Sequence, residues 1–284
     1  GVTTGVKNTF LGGLAGDATT DADENVAIGY DSLGTNILGG ASVAVGASAL
    51  RTQNPASAVT MYNTAVGHFA GYAVTTGVQN TLIGGLAGDA NTTADNMTAV
   101  GYQALTTYNR TDGANSNNTA VGAGAFLALT TGNANTAVGS EAGANQQGAA
   151  NCTFLGYRAG KDSTGESNTF VGGLCGDATD DGAENVAVGM SALSGNCGDG
   201  NTAVGKDAGE VITGSNNTVM GKSTGKSITS GTNNLFLGKD AGITGSPGGN
   251  ITTGSNDIIL GDENIDTAHI QVDWTVASDA RDKT

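Results

Sequence analysis

The sequence predicts an all-β protein: a parallel β-solenoid, or β-roll, of about fifteen short coils. Three observations lead there. The phrase NTAVG occurs at residues 63–67, 118–122, 135–139 and 201–205, with near-copies NTFLG (8–12), NTLIG (80–84) and NVAVG (185–189) between them. The glycine closing each phrase recurs fifteen times from Gly12 to Gly261, at spacings of 16 or 17 apart from two of 21 and a last one of 23. The residues just before each glycine are apolar or β-branched in nearly every copy. A period near 17 falls in the regime of solenoids and stacked arrays.

Taken in chain order, each copy opens on a polar column four residues before the glycine. Eleven of the fifteen copies carry Asn there, and Ser42, Met97, Cys152 and Asp257 stand in the rest. Stacked in register, these amides are expected to form a ladder, each bonding the one above and below.

The next three positions predict a short strand. Thr or Val comes first in thirteen copies, with Leu235 and Ile258 as exceptions. The second is always apolar, either small (Ala27, Ala44, Ala65) or large (Phe10, Phe154, Phe170, Phe236), and the third runs from Leu11 and Ile28 to Met220 and Leu260. Such triplets favour extended backbone over helix. Neighbouring strand residues point to opposite faces, so apolar residues at adjacent positions predict that both faces are covered.

After the glycine comes x-x-Ala and then either Gly (Gly16, Gly71, Gly143, Gly209) or a large apolar residue (Leu33, Leu50, Leu105, Leu193). This predicts a tight corner and a second short strand. The polar remainder of each copy, rich in TTG and GSN, is expected to form exposed loops.

Coils about 4.8 Å apart would build a rod on the order of 70 Å long. A single coil cannot hold itself, because three or four buried side chains do not offset the ordering of about 17 residues. A roll this thin encloses one strand face only. The second apolar face therefore predicts a partner, and three parallel copies around a common axis would supply it.

Composition excludes other classes. The 48 glycines do not fall every third residue and only two prolines are present, which rules out collagen. Hydrophobic residues at 38%, recurring in register, argue against disorder. Apolar runs are too short to span a membrane. The net charge of −15 argues against nucleic acid and anionic membranes as partners. No signal peptide is visible, and the start at Gly1 predicts a piece of a longer polypeptide. Three cysteines without a CxxC pair suggest neither a disulfide framework nor a zinc site, and Cys175, in a column usually held by Ala, is expected to be a small buried hydrophobe.

The phrase N-[TV]-[AFL]-[VIL]-G-x-x-A resembles the head repeats of trimeric autotransporter adhesins, which are trimers of left-handed parallel β-rolls. It is also similar to the NTAVG-type arrays of bacteriophage tail fibres. The final segment DWTVASDARDKT (273–284) resembles the opening of the endosialidase-type intramolecular chaperone domain, with Trp274, Ser278, Asp279, Arg281 and Lys283 at the family's positions. That resemblance implies a chaperone that guides trimerisation and then cuts itself off, here between Ser278 and Asp279. The expected organisation is a repeat shaft over 1–265 and a terminal strand segment over 266–284, joined to a chaperone body further on.

Other chemistry finds little footing. The acidic loops offer Asp17, Asp21, Asp23 and Glu24, and again Asp177, Asp180, Asp181 and Glu184, while the equivalent loop keeps only Asp89 and Asp95. Their order is not that of an EF-hand, so solvated loops are expected rather than calcium sites. His68 and His269 are isolated. No catalytic residue, metal ligand or cofactor is predicted, and the chain reads as a non-enzyme. The leading function is a structural segment of a phage tail fibre in host attachment, with a host-surface glycan or protein as receptor. The alternative is a bacterial trimeric surface adhesin head. A polysaccharide depolymerase is disfavoured, since six Tyr and one Trp are few for sugar-stacking surfaces over fifteen copies.

Overall fold

The computed structural model of the chain describes residues 3–112 and 115–267. Fifteen strands, from Thr9–Leu11 to Ile258–Leu260, form one parallel sheet in which almost every strand pairs with its sequence neighbours. Each strand is three residues long and occupies the triplet before a closing glycine. Pairing is in register: Thr136, Ala137 and Val138 lie opposite Thr153, Phe154 and Leu155. The solenoid is thus all-β and parallel, with no helix among the described residues.

The expected second strand after the corner does not form. Residues following the glycine are successive turns, because two positions there take left-handed backbone. The second residue after the glycine does so in the first fourteen coils (Asp31 φ 58°, Phe69 φ 57°, Arg158 φ 54°), and so does the fourth, whether Gly16 (φ 58°) or Leu33 (φ 48°). A third left-handed residue precedes the Asn column, as at Glu24 and Gln79. Strands need extended φ, and three such bends per coil leave room for only one strand. Elsewhere a two-residue pair, Gly39–Gly40 with Val59–Thr60, makes the only other sheet among the described residues.

The closing glycine cannot be replaced. Gly12 has φ 138°, and a Cβ on it would stand 2.6 Å from the carbonyl oxygen of Gly29 in the next coil. The two coils touch backbone to backbone at this point, which explains why this column is invariant along the chain. The corner beyond is tied to both neighbours, as where Asp31 N donates to Gly13 O at 2.9 Å and Leu33 N donates to Ala49 O at 3.0 Å.

The core follows a packing rule that links two columns six residues apart. Where the middle strand residue is large, the fourth residue after the glycine is Gly: Phe10 with Gly16, Leu82 with Gly88, Phe154 with Gly160, Phe170 with Gly176, Phe236 with Gly242. A Cβ on Gly16 would lie 2.6 Å from the Phe10 ring. Where the strand residue is Ala the fourth residue is large in five of eight coils, as in Ala27 with Leu33, Ala44 with Leu50 and Ala120 with Phe126. Both columns point into the same interior volume, and at most one large side chain per coil enters it from them. In three coils, Ala65 with Gly71, Ala137 with Gly143 and Ala203 with Gly209, both are small and side chains of adjacent coils close in, as do the rings of Phe126 and Phe154, 6.0 Å apart, around Gly143. Phe154 and Phe170 then stack at 5.5 Å.

The Asn ladder forms, but its bonds mostly run from side chain to backbone. Asn135 Oδ1 accepts from Cys152 N at 2.9 Å, and Asn135 Nδ2 donates to Ala149 O at 2.8 Å. One amide thereby satisfies a donor and an acceptor of the following coil, both beyond the reach of water. Among the described residues, amide-to-amide bonds in this column run from Asn185 onward: Asn201 Nδ2 reaches Asn185 Oδ1 at 3.2 Å, Asn217 Nδ2 reaches Asn201 Oδ1 at 3.1 Å and Asn234 Nδ2 reaches Asn217 Oδ1 at 3.0 Å. Substitutes in the column are compensated. At Ser42, Gln53 Nε2 donates to the Ser42 hydroxyl at 3.1 Å while Gln53 Oε1 accepts from Asn63 Nδ2 at 2.9 Å. At Cys152 the thiol donates to Gly165 O at 3.4 Å, in the direction an Asn amide would take.

Gln53 exposes a further correction. The polar remainder of the coil was expected at the surface, yet the seventh residue after the glycine is interior: Asn36, Gln53, Asn91, Tyr108 and Gln146 are fully buried. Left-handed backbone three positions earlier turns this residue back into the roll.

Candidate functional site

Alternation along the three-residue strand decides which surface is left to interact. The middle residue points inward and is fully buried in copy after copy, as at Ala65, Ala120 and Phe170. The residues on either side of it point outward. Within one chain only one strand face is covered, and the other presents an unbroken apolar column from Leu11, 66% exposed, through Val66, Ile83 and Leu155 to Met220 and Leu260. This stripe runs the full length of the sheet.

The surface beside the stripe is also partly apolar. The residue after the closing glycine is exposed, and it is Tyr30, Tyr102, Tyr157 and Met190 in four coils. Tyr30 lies against the bare backbone of Gly13 one coil earlier, whose Cβ would sit 3.6 Å from the ring. Tyr102 lies in the same way against Gly85, at 3.5 Å. In the C-terminal third the column changes to Lys206, Lys222 and Lys239, with carboxylates of Asp207 at 3.6 Å and Asp240 at 2.5 Å from the first and last ammonium groups. His68 occupies this column too, exposed, with its ring edge-on to Phe69 at 4.2 Å.

The acidic loops spend several of their oxygens on the stack. Asp23 Oδ1 accepts from Val6 N at 2.7 Å, and Asp95 Oδ1 accepts from Val78 N at 2.7 Å at the same point of the repeat. Burial pushes the Asp95 carboxyl above its ordinary range, against the Val78 hydrogen bond. Glu24 pairs with Lys7 at 2.8 Å. Among the described residues no three His, Cys, Asp or Glu side chains converge as a metal would need.

Buried thiols are spread along the interior. Cys175 Sγ donates to Ala187 O at 3.2 Å, and burial pushes its pKa up to about 12. Cys152 and Cys197 are buried likewise, and all three are free.

One edge differs from the others. Two of the three long coils insert their extra residues between the interior seventh residue and the Asn column, 54–62 and 109–117, whereas the last inserts them before its interior residue, Ile251, whose N donates to Gly242 O at 3.0 Å. The first insertion carries Val59–Thr60, which pairs with Gly39–Gly40. In the second, Asn115 bridges to Asp95. The sequence predicts only exposed loops here. The signal that the first two insertions share an edge was their constant position behind the glycine.

The processing junction read from the sequence, Ser278 and Asp279, together with Trp274, Arg281, Lys283 and His269, lies outside the described residues. No family model and no curated protein matches the chain.

Proposed function

We propose that the chain is a segment of a fibre shaft, a parallel homotrimer whose three outward sheet faces meet on a common axis. One observation carries this reading: the apolar column from Leu11 to Leu260, exposed along the whole sheet of a single chain. Monomers rarely leave so long a contiguous apolar strip in water. Fifteen half-exposed aliphatic side chains at about 1 kcal/mol each offer on the order of 15 kcal/mol per chain, comparable with or above the usual cost of association. The coils stack in register, so like columns can face like over the entire length.

The attachment role rests on resemblance. The NTAVG-type repeat is similar to phage tail-fibre arrays, and the closing residues resemble the start of an intramolecular chaperone domain cut at Ser278–Asp279. The role so assigned is mechanical and adhesive, in a virion and without catalysis, and a bacterial surface adhesin head shares the same architecture. Sedimentation of the chain decides the assembly: a trimer is expected, and Val121→Asp, which places a carboxylate in the stripe, is expected to dissociate it without loss of the β-spectrum. A folded monomer of the unmodified chain would overturn the reading. Peptide mapping of native particles tests the junction, where an uncut chain through Asp279 would remove processing from the proposal.

A further inference from the structure

Residues 109–112, which open the second insertion, form an overhang that is fastened to its neighbours. Thr92 Oγ1 donates to Asn109 Oδ1 at 2.7 Å, Thr93 Oγ1 donates to Arg110 O at 2.8 Å, and Asn109 N donates to Thr130 O at 3.0 Å. Within it Arg110 Nε donates to Asp112 Oδ1 at 3.2 Å, with the Arg110 side chain 17% exposed. Next to this overhang the loop tips of the following coils shrink to Gly132, Gly148 and Ala150, and a groove of about 400 Å³ opens between them. Glu166 lines its far end, three coils away. At about 4.8 Å per coil the groove runs roughly 14 Å along the rod.

We propose that this groove is a carbohydrate-binding site that takes a neutral, hydroxyl-rich disaccharide. Its volume lies in the range of small-ligand clefts, about 300–1,000 Å³, and its length fits two linked pyranose rings. The chemistry of the walls selects within that size. Asn109, Asn133 and Thr131 each offer both a donor and an acceptor, which matches vicinal hydroxyls better than any group of fixed polarity. The Glu166 carboxylate accepts from sugar hydroxyls, while Asp112 is held by Arg110. The lining therefore carries one cation and two anions, within a chain of net charge −15, so phosphates, sulfates and acidic sugars are disfavoured. The small residues of the floor give a ring's C–H face a flat surface to lie on.

The position supports the assignment independently. In a solenoid, insertions at one point of the repeat map to a single face, and that face is often the one that binds. Here the first two long coils insert at the same loop edge, distinct from the strand stripe. The inference rests on the attachment half of the proposed function and not on the trimer.

Saturation-transfer NMR tests it, using the full chain with millimolar lactose, maltose, cellobiose and N,N′-diacetylchitobiose, and with sialyllactose and a heparin disaccharide as acidic comparators. Gly148→Trp supplies the blocking variant. A Cβ at Gly148 meets only Thr131 Oγ1, at an ordinary 3.5 Å, so the fold tolerates it. Transfer to at least one neutral disaccharide, lost in Gly148→Trp with an unchanged melting curve, is the expected result. Asn133→Ala is expected to weaken the same ligand by about tenfold. Silence from every neutral sugar overturns the proposal, as does binding that survives Gly148→Trp or that is confined to the acidic comparators. Sedimentation of the same samples keeps the two readings apart: binding by a monomer would sink the trimeric shaft and leave the groove standing.

Discussion

Asn63 and Asn80 lie one coil apart, and the side-chain oxygen of the first accepts the backbone N–H of the second at 2.9 Å. Asn80 repeats the act, accepting from Met97 N at 2.9 Å and donating its Nδ2 to Ala94 O at 3.0 Å. Each amide fixes the register of its successor at two points. Asn80→Ala strands a buried donor and a buried acceptor, so a loss of about 2–4 kcal/mol is expected in chemical denaturation. Leucine should do no better, since it restores volume and neither hydrogen bond.

The pairing of Phe154 with Gly160 predicts a compensating swap. Phe154→Ala alone leaves a cavity and should cost about 3–5 kcal/mol. Gly160→Leu alone drives a side chain into the Phe154 ring and should also destabilise, by roughly 1–3 kcal/mol. Together they recreate the arrangement of Ala27 with Leu33, where leucine already tolerates φ 48°. The double variant is expected to recover at least half of the summed loss in a double-mutant cycle. Additive losses would refute the one-volume rule.

Adjacent residues of one strand should respond differently to the same change. Ala120→Asp puts a carboxylate into the core and is expected to cost several kcal/mol, enough to unfold the surrounding coils. Val121→Asp faces outward, so its effect should appear in sedimentation and not in the circular dichroism of the dissociated chain. Ser215→Asp is expected to be nearly silent in both. Ser215 Oγ accepts from Asp199 N at 3.1 Å, a task Asp199 Oδ1 already performs for Ala183 N at 2.9 Å one coil earlier.

The Cys175 thiol predicts a loss of stability in alkali. Its pKa is raised by burial from an ordinary 9.0 to about 12, so the folded chain keeps the proton while the unfolded chain releases it. The contribution is complete below pH 9 and declines as pH rises from 9 toward 12. Cys175→Ala, the residue found in this column at Ala15 and Ala87, should flatten the denaturation midpoint over that interval. Alkylation of the native chain at pH 8 should leave Cys175 unmodified until denaturant is added.

The strand positions, their parallel register and the inward column were legible because each is written as an invariant offset from Gly12, Gly29 and their successors. The second strand was misread because Leu33 and Leu50 look like strand residues, although they sit in left-handed backbone, a conformation that composition does not announce. The burial of Gln53 and Asn36 was missed because polar residues between turns usually face water, and only the interior hydrogen bonds of the stack offset their transfer. The exclusion between Phe154 and Gly160 was present in the sequence, as a correlation between two columns that each look variable on their own. No single column shows a groove made by Gly132 and Gly148, which depends on where the preceding long coil projects.

The ladder also sets how a single chain would respond to being pulled from its ends. Every bond between coils lies along the rod, so tension would load the junctions in series and the weakest terminal coil would come away first. Each release frees about 17 residues, roughly 55 Å of slack once the original rise is subtracted. A lone chain would therefore lengthen in a train of small, nearly equal steps at modest force. Three chains locked face to face along the stripe would have to surrender a coil together, which turns the same bonds from a zip into a cable.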